Sequence, residues 1–226
     1  MVANVAALAL IPARGGSKGI PAKNLQKVGG ISLVARCIHA AQASDRVTRI
    51  VVSTDDQDIA AVSQATGVDF IKRPENIADD LASSESVLLH ALEELVQYGP
   101  LEANLVLLQC TSPFTTGKQI DKVLTALDQS EFNSSFAVAP WHGFLWRVNG
   151  EGINHDPGVI RQRRQDLEPS YIETGAIYAM RTTNFRATGR RFCPPWKPVV
   201  IPDMSPEIDT PEDLALCQSL AFCLYS

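Results

Sequence analysis

Several features are missing from this chain of 226 residues. No apolar run is long enough to cross a membrane. There is no repeat, no low-complexity tract and no basic tail, and the formal net charge is −5. That balance argues against nucleic-acid binding as the main task, although a local basic pocket for a nucleotide is compatible with it. Cysteine is sparse and odd in number: Cys37, Cys110, Cys193, Cys217 and Cys223, with no Cys-x-x-Cys pair. Reduced thiols in a cytoplasmic protein are therefore expected. The histidines His39, His90, His142 and His155 keep no ligand spacing with the cysteines, which argues against zinc. The N-terminal apolar run has no basic region ahead of it, so a signal peptide is not expected. What is present is 45% hydrophobic and 20% charged, which places the chain among ordinary globular proteins. Its length suits one α/β domain with an elaboration, or one and a half domains.

The apolar run Val5 to Leu10 is short and uncharged, and Pro12 follows it, so it reads as a buried strand. It leads into Ile11-Pro12-Ala13-Arg14-Gly15-Gly16-Ser17-Lys18-Gly19-Ile20-Pro21-Ala22-Lys23-Asn24. Glycines let backbone N–H groups approach a ligand closely, and consecutive N–H groups in a turn make an anion-binding concavity. The arginine and lysines add charge. In α/β proteins this is where phosphates are held. The loop is not a Walker A loop, because Lys18 is followed by Gly19 and not by Ser or Thr. Nor is it the dinucleotide fingerprint, because Ser17 stands at the second glycine and Pro21 delays any helix.

Residues 32–43 carry apolar side chains at helical spacing, and 49–53 is a second strand. That strand ends in Ser53-Thr54-Asp55-Asp56, suited to cap a helix over 57–65. A third strand covers 69–72, and the alternation implies parallel strands with crossover helices. Arg73-Pro74 and 79–84 precede a helix over 85–97, with Ser83 or Ser84 as cap. Strand 105–108 leads into Gln109-Cys110-Thr111-Ser112-Pro113. Ligands of open α/β sheets sit beyond strand C-terminal ends, so loops 12–24, 73–84 and 109–113 should converge on one crevice. A helix over 118–129 and a strand over 135–139 follow.

The pattern breaks over 141–171, which holds a hairpin turning at Asn149-Gly150, the aromatics Trp141, Phe144 and Trp146, and Arg161-Gln162-Arg163-Arg164. Exposed aromatics are costly, which favours an insertion buried against something over a solvated loop. A strand over 175–180, an irregular or weakly helical stretch over 185–192 and a last strand over 199–201 complete the sheet. Thr210-Pro211-Glu212-Asp213 starts a final helix. Just before it, Glu207 and Asp209 sit at i and i+2 of an extended segment and point to one side. Such a pair suits Mg2+ completed by water and phosphate oxygens. Alternatively, the two acids only favour the N-terminus of the following helix, worth ~0.3–1 kcal/mol each.

The 11–24 loop resembles the N-terminal signature of the CMP-sialic acid synthetases (acylneuraminate cytidylyltransferases), and CMP-Kdo synthetases share a looser version. Further blocks follow in the family's order: Arg73, Asp80 and Ser84; Gln109 to Pro113; Arg164-Gln165-Asp166-Leu167-Glu168-Pro169 with Thr174-Gly175-Ala176-Ile177-Tyr178; and Glu207-Ile208-Asp209. The resemblance implies a Rossmann-like three-layer nucleotidyltransferase fold, mostly parallel, formed by residues 1–226 with a small dimerisation region inserted at about 141–171. It implies transfer of CMP from CTP to the anomeric hydroxyl of a nine-carbon α-keto sugar acid, with release of pyrophosphate. N-acetylneuraminate is the default acceptor, with KDN, pseudaminate and legionaminate as close competitors. A CMP-Kdo synthetase and a catalytically silent nucleotide-binding regulator are the alternatives.

By the same resemblance, Ala13, Arg14, Gly15, Gly16, Ser17, Lys23, Asn24, Arg73, Asp80 and Ser84 hold the nucleotide. Gln109, Arg164, Thr174, Tyr178 and Phe192 hold the sugar acid, and Asp209 with Glu207 holds Mg2+ or Mn2+. Arg14, Lys23, Gln109 and Asp209 are the catalytic candidates. A homodimer is implied, with the insertion lending residues to the neighbour's sugar site. Four departures stand out. Cys110 replaces a proline, Glu168 intervenes before Pro169, Thr174 replaces an asparagine, and Glu207 replaces an aspartate one methylene shorter.

Overall fold

The first apolar run is strand β1 (Ala7–Pro12), almost wholly buried. Its side chains alternate between two cores: Ala7, Ala9 and Ile11 enter one, Leu8 and Leu10 the other. A strand covered on both faces needs no polar side, which is why the run carries no alternation of polarity. The computed structural model describes residues 5–225 apart from 79–81, 130, 162, 164–165 and 203–205.

β1 pairs in parallel with β4 (Val47–Thr54) on one side and β6 (Asn104–Leu108) on the other, and β4 pairs in parallel with β5 (Asp69–Lys72). β8 (Ser170–Arg181) runs antiparallel between β6 and β7 (Ser134–Trp141), and β9 (Trp196–Val200) lies parallel to β7 at the edge. The order is β5-β4-β1-β6-β8-β7-β9. Helices α1 (Leu33–Gln42), α2 (Gln57–Ala65), α4 (Gly117–Ala126) and α6 (Pro211–Tyr225) contribute to the larger core. α3 (Ser84–Val96) and α5 (Thr182–Thr188) cover the opposite face. This is the expected three-layer, mostly parallel, Rossmann-like arrangement. Because the chain goes from β1 outward through β4 and β5 and then returns to β6, a topological switch lies between β1 and β6.

Local chemistry sets the helix starts. Ser32, Asp56 and Ser83 each accept from a backbone N–H of the helix they precede, and Thr116 forms a reciprocal capping box with Gln119. The cap of α3 is therefore Ser83, and Ser84 is its first residue. Other differences from the sequence reading are small. A hairpin, β2 (Lys27–Val28) with β3 (Ile31–Ser32), turns on Gly29-Gly30 at φ of 59° and 78°. The stretch expected to be irregular over 185–192 begins as α5, earlier in the chain. β8 starts at Ser170, since Ser170 to Glu173 pairs with Val138 to Trp141 beyond a bulge. Trp141 and Tyr171 thus belong to strands, which narrows the insertion to 142–169.

Within the insertion, Trp146 bridges Gly152, and Arg147 N–H donates to the Glu151 carbonyl at 2.8 Å around the expected turn. The rings of Phe144 and Trp146 meet His155 at 5.0 and 4.5 Å. Among the described residues no helix is long and apolar enough to cross a membrane. All five cysteines are free thiols.

At the opposite end of the sheet from the strand C-termini, buried Arg46 makes two bonds of 2.7 Å to the Asp128 carboxylate. Removing one partner leaves a buried charge uncompensated, which costs about 3–5 kcal/mol. Asp128→Ala should lower the urea midpoint accordingly; a loss below about 1 kcal/mol would show the pair to be effectively solvated.

Candidate active site

At the switch point, the C-terminal ends of β1 and β6, with Arg73 just beyond β5, face a cavity of about 310 Å³. The 12–24 loop is fastened at its start by Ala13 N–H to the Ser53 carbonyl at 2.9 Å and by Gly15 N–H to Asp55 Oδ1 at 3.1 Å. At its end Asn24, buried, donates from Nδ2 to the Arg14 carbonyl at 2.9 Å. Ala22, at φ 48°, turns the chain into the short 3-10 turn Lys23–Leu25. Arg14, Ser17, Lys23 and Asn24 all line the cavity. Lys18 is exposed and not among its lining residues.

The second wall is Arg73, only 5% exposed, whose Nη2 donates to the Ser53 carbonyl at 2.8 Å. Burial lowers its pKa, and nearby Arg14 pushes the same way, while Asp55 opposes them. An arginine so placed remains a cation at any ordinary pH. Ala82 and Ser84 continue this wall. Because Ser83 performs the capping, Ser84 is left for the cavity.

The third wall joins two distant segments. Thr111 accepts the Ile208 N–H on its carbonyl at 2.8 Å and donates from Oγ1 to Glu207 Oε1 at 3.1 Å. Lys23 Nζ donates to the Ile208 carbonyl at 2.8 Å and pairs with Asp209 Oδ1 at 3.1 Å. Gln109, Thr111, Glu207 and Asp209 thus share the cavity with the cations. Burial raises the Glu207 pKa, Thr111 counteracts this, and Asp209 adds like-charge repulsion. The two carboxylates both line this cavity. They are hard oxygen donors, so a divalent cation fits their chemistry. Among the described residues there is no cluster of three or more His, Cys, Asp or Glu that could hold a metal, so any ion here must complete its shell from elsewhere.

The remaining candidates are distributed differently. Tyr178 and Phe192 belong to an aromatic group with Phe136, with ring centroids 5.0–6.4 Å apart. The Thr174 hydroxyl donates to the Ala137 carbonyl at 3.3 Å in the β7–β8 bulge, so it is committed to the sheet. Asp80 and Arg164 lie outside the described residues. Sequence reading missed Asp55 as a brace of the loop and Thr111 as the seat of Glu207. Both stand at strand ends, in the Thr54-Asp55 and Gln109-to-Pro113 segments, which is the one signal that marks them.

Comparisons with known proteins bear on this geometry. A family model described as cytidylyltransferase matches residues 8–197. The chain belongs to the cytidylyltransferase family. An N-acylneuraminate cytidylyltransferase of Oncorhynchus mykiss is 33% identical over 177 residues, covering 75% of this chain and 40% of the relative. The chain therefore spans less than half the length of that relative. A pseudaminic acid cytidylyltransferase of Campylobacter jejuni is 29% identical over 221 residues, covering 94% of this chain and 95% of the relative. Among solved structures, a CMP:2-keto-3-deoxy-manno-octonic acid synthetase complexed with CTP superposes with a TM-score of 0.74 at 17% identity, covering 97% of this chain and 99% of that one. At that identity the likeness establishes the fold.

Gly175 tests how tightly the cytidylyltransferase cavity is built. Its φ is +68°, and a Cβ there would lie 2.6 Å from both Glu207 carboxylate oxygens. Gly150 has φ +89° and nothing within 4 Å of its hypothetical Cβ. Each Gly→Ala change pays about 1–2 kcal/mol for the left-handed backbone. Gly175→Ala should also displace Glu207 and so lower Tm further than Gly150→Ala. Equal losses would mean that Glu207 moves aside freely.

Proposed function

We propose that this chain transfers CMP from CTP to the anomeric hydroxyl of a nine-carbon α-keto sugar acid, releasing pyrophosphate. The observation that carries the reading is the meeting of Arg14, Lys23 and Arg73 with Gln109, Glu207 and Asp209 in one cavity at the switch of the sheet. A nucleoside triphosphate brings about four negative charges, and phosphoryl transfer is catalysed by positioning and by cations that absorb charge as it spreads. In the proposed step the bond from the anomeric oxygen to the α-phosphorus forms as the bond from that phosphorus to the oxygen bridging to the β-phosphate breaks, and the hydroxyl proton passes to water as pyrophosphate leaves. Arg14, Lys23 and the amides of Ala13, Gly15, Gly16 and Ser17 hold the triphosphate, with Arg73, Asn24 and Ser84 beside them. Gln109 orients the attacking hydroxyl.

Asp209 and Glu207 are the residues that would hold Mg2+ or Mn2+. When bound, such an ion neutralises triphosphate oxygens and steadies their orientation. Lys23 pairs with Asp209 and so holds that carboxylate toward the cavity.

For the acceptor, N-acetylneuraminate is the default, supported by the relatives named for N-acylneuraminate. Pseudaminate is a second reading, favoured because that relative matches nearly end to end at 95% of its own length. We further propose a homodimer through the insertion, supported by its exposed apolar side chains Trp146, Val159 and Ile160 around a cavity of about 280 Å³, with Val148 exposed as well. Free thiols suit a cytoplasmic location.

Pyrophosphate release with each acid should be at least tenfold faster with CTP than with ATP or GTP; equal rates with purine triphosphates would overturn the assignment. Asp209→Asn should abolish most turnover and raise the Mg2+ requirement while leaving the circular dichroism spectrum unchanged. Near-normal turnover of that variant at limiting Mg2+ would remove Asp209 from the metal site. Sedimentation at micromolar concentration should give twice the 24.5 kDa chain, and a stable, fully active monomer would refute the dimer.

A further inference from the structure

The residues lining the cavity at the strand ends include a thiol, Cys110. It stands where the family pattern has proline, and the proposed reaction does not use it. It sits between Gln109, which also lines the cavity, and Thr111, whose hydroxyl donates to Glu207. Cys110 is only 4% exposed, so a reagent reaches it through the cavity.

Cys37 lies behind it. Helix α1 is laid against the segment that follows β6: Arg36 donates from Nη1 to the Pro113 carbonyl at 3.2 Å, and its guanidinium carbon is 5.8 Å from the Phe114 ring centroid. The next residue, Cys37, is buried in the same core as Cys110. The two side chains are within hydrogen-bond reach of each other, and that contact raises the Cys37 pKa, with burial pushing the same way. Cys37 therefore stays a thiol at neutral pH. The other buried cysteines have oxygen partners. Cys193 donates to the Arg190 carbonyl at 2.9 Å and lies 3.3 Å from the Thr188 hydroxyl, and Cys217 Sγ is 4.0 Å from the Pro206 carbonyl.

Two thiols in contact, one open to a cavity and one behind it, have the arrangement of an attacking and a resolving cysteine. Arg14, Lys23 and Arg73 line the same cavity, and cations favour the oxygen that leaves with negative charge when a peroxide bond breaks.

We propose that Cys110 and Cys37 are a redox pair: a small hydroperoxide entering the cavity joins them in a disulfide that disables the site until a dithiol reduces it. In the first step the Cys110 sulfur attacks one peroxide oxygen. The O–O bond breaks, Cys110 becomes a sulfenic acid, and the other oxygen leaves as water with the thiol proton. In the second step the Cys37 sulfur attacks the Cys110 sulfur. The S–S bond forms, the S–O bond breaks, and the hydroxyl leaves as water with the Cys37 proton. Each sulfur gives up one electron, and the hydroperoxide takes both. The new bond draws Cys110 toward α1 and so displaces Gln109 and Thr111 on either side of it. Thr111 in turn holds Glu207 and the Ile208 N–H. The effect on turnover rests on the reading of the chain as a transferase; the disulfide does not.

The test treats the purified chain with hydrogen peroxide, with and without later dithiothreitol. It is read by peptide mapping under non-reducing conditions and by pyrophosphate release. The expected result is a pair of peptides joined through Cys37 and Cys110, a loss of turnover of at least tenfold, and reversal of both by dithiothreitol. Cys37→Ala should keep the turnover of untreated protein within twofold and give no joined pair. Its Cys110 should go on to sulfinic acid, which dithiothreitol does not reverse. Cys37→Ser takes its place if the alanine variant does not fold. Absence of the joined pair from oxidised wild type, or joining of other cysteines in its place, would overturn the inference. Full turnover in a fully cross-linked chain would overturn it as well. Silence of the untreated wild type with every acid would overturn the reading of the reaction, and the peptide map would still decide the redox pair.

Discussion

The site depends on one ammonium group. Lys23 reaches across 185 residues of sequence to the Ile208 carbonyl and across 186 to the Asp209 carboxylate. Without that tie, the 206–209 segment would keep its hydrogen bonds to Thr111 and the burial of Ile208, but its acidic end would lose its cation. The sheet itself would survive, since its cores are complete without this segment's acidic side chains. What would be lost is the juxtaposition of acids and cations. The constraint is electrostatic. Arg14, Lys23 and Arg73 share one small cavity, and a buried cation is tolerated only with compensation nearby. Asp55, Glu207 and Asp209 supply it from inside the chain.

The same balance explains how a site can be assembled before its anion arrives. Gly15 N–H is held by Asp55, and Lys23 by Asp209. Each contact uses a carboxylate to occupy a donor that another anion could otherwise engage. Internal carboxylates therefore keep the loop in a defined shape. They are also the groups that an incoming anion would have to displace or bridge. A loop with three cations and no such partners would be splayed by repulsion.

How much of this was legible in the sequence follows from how local each contact is. The 12–24 loop, the caps at Asp56 and Thr210, and the polar ends of β1, β4 and β6 are set within a few residues, so periodicity and turn chemistry showed them. Glu207 and Asp209, read from their spacing as pointing to one side, both line the cavity at the strand ends. The strand start at Ser170 was missed because pairing with the far half of β7 across a bulge is a tertiary matter. The bond from the Thr174 hydroxyl to the Ala137 carbonyl in that bulge is tertiary too. Likewise nothing in the chain links Glu85 to Arg191, because no local pattern joins a helix's first turn to a loop after α5. The antiparallel insertion of β8 between β6 and β7 was also invisible, since strand order is not written in any single strand.

The division between legible and illegible parts is also a division of labour. The nucleotide side is made from strand ends and the tight turns that follow them, which the packed parallel core holds in place. A separate cavity is lined by the first turn of α3 and the 189–192 loop, parts brought together by the long-range pair of Glu85 with Arg191. The two sides meet at Ser83 and Ser84, adjacent residues facing different cavities. Altering Arg191 or Glu85 leaves β1, β4 and β6 and the loops after them untouched, because neither residue packs on those ends. Altering Lys23 or Thr111 disturbs the shared cavity directly. The cavity lined by Ser83 and Glu85 can therefore change without rebuilding the one at the strand ends. That follows from the geometry of α3, whose N-terminal turn stands as a partition between them.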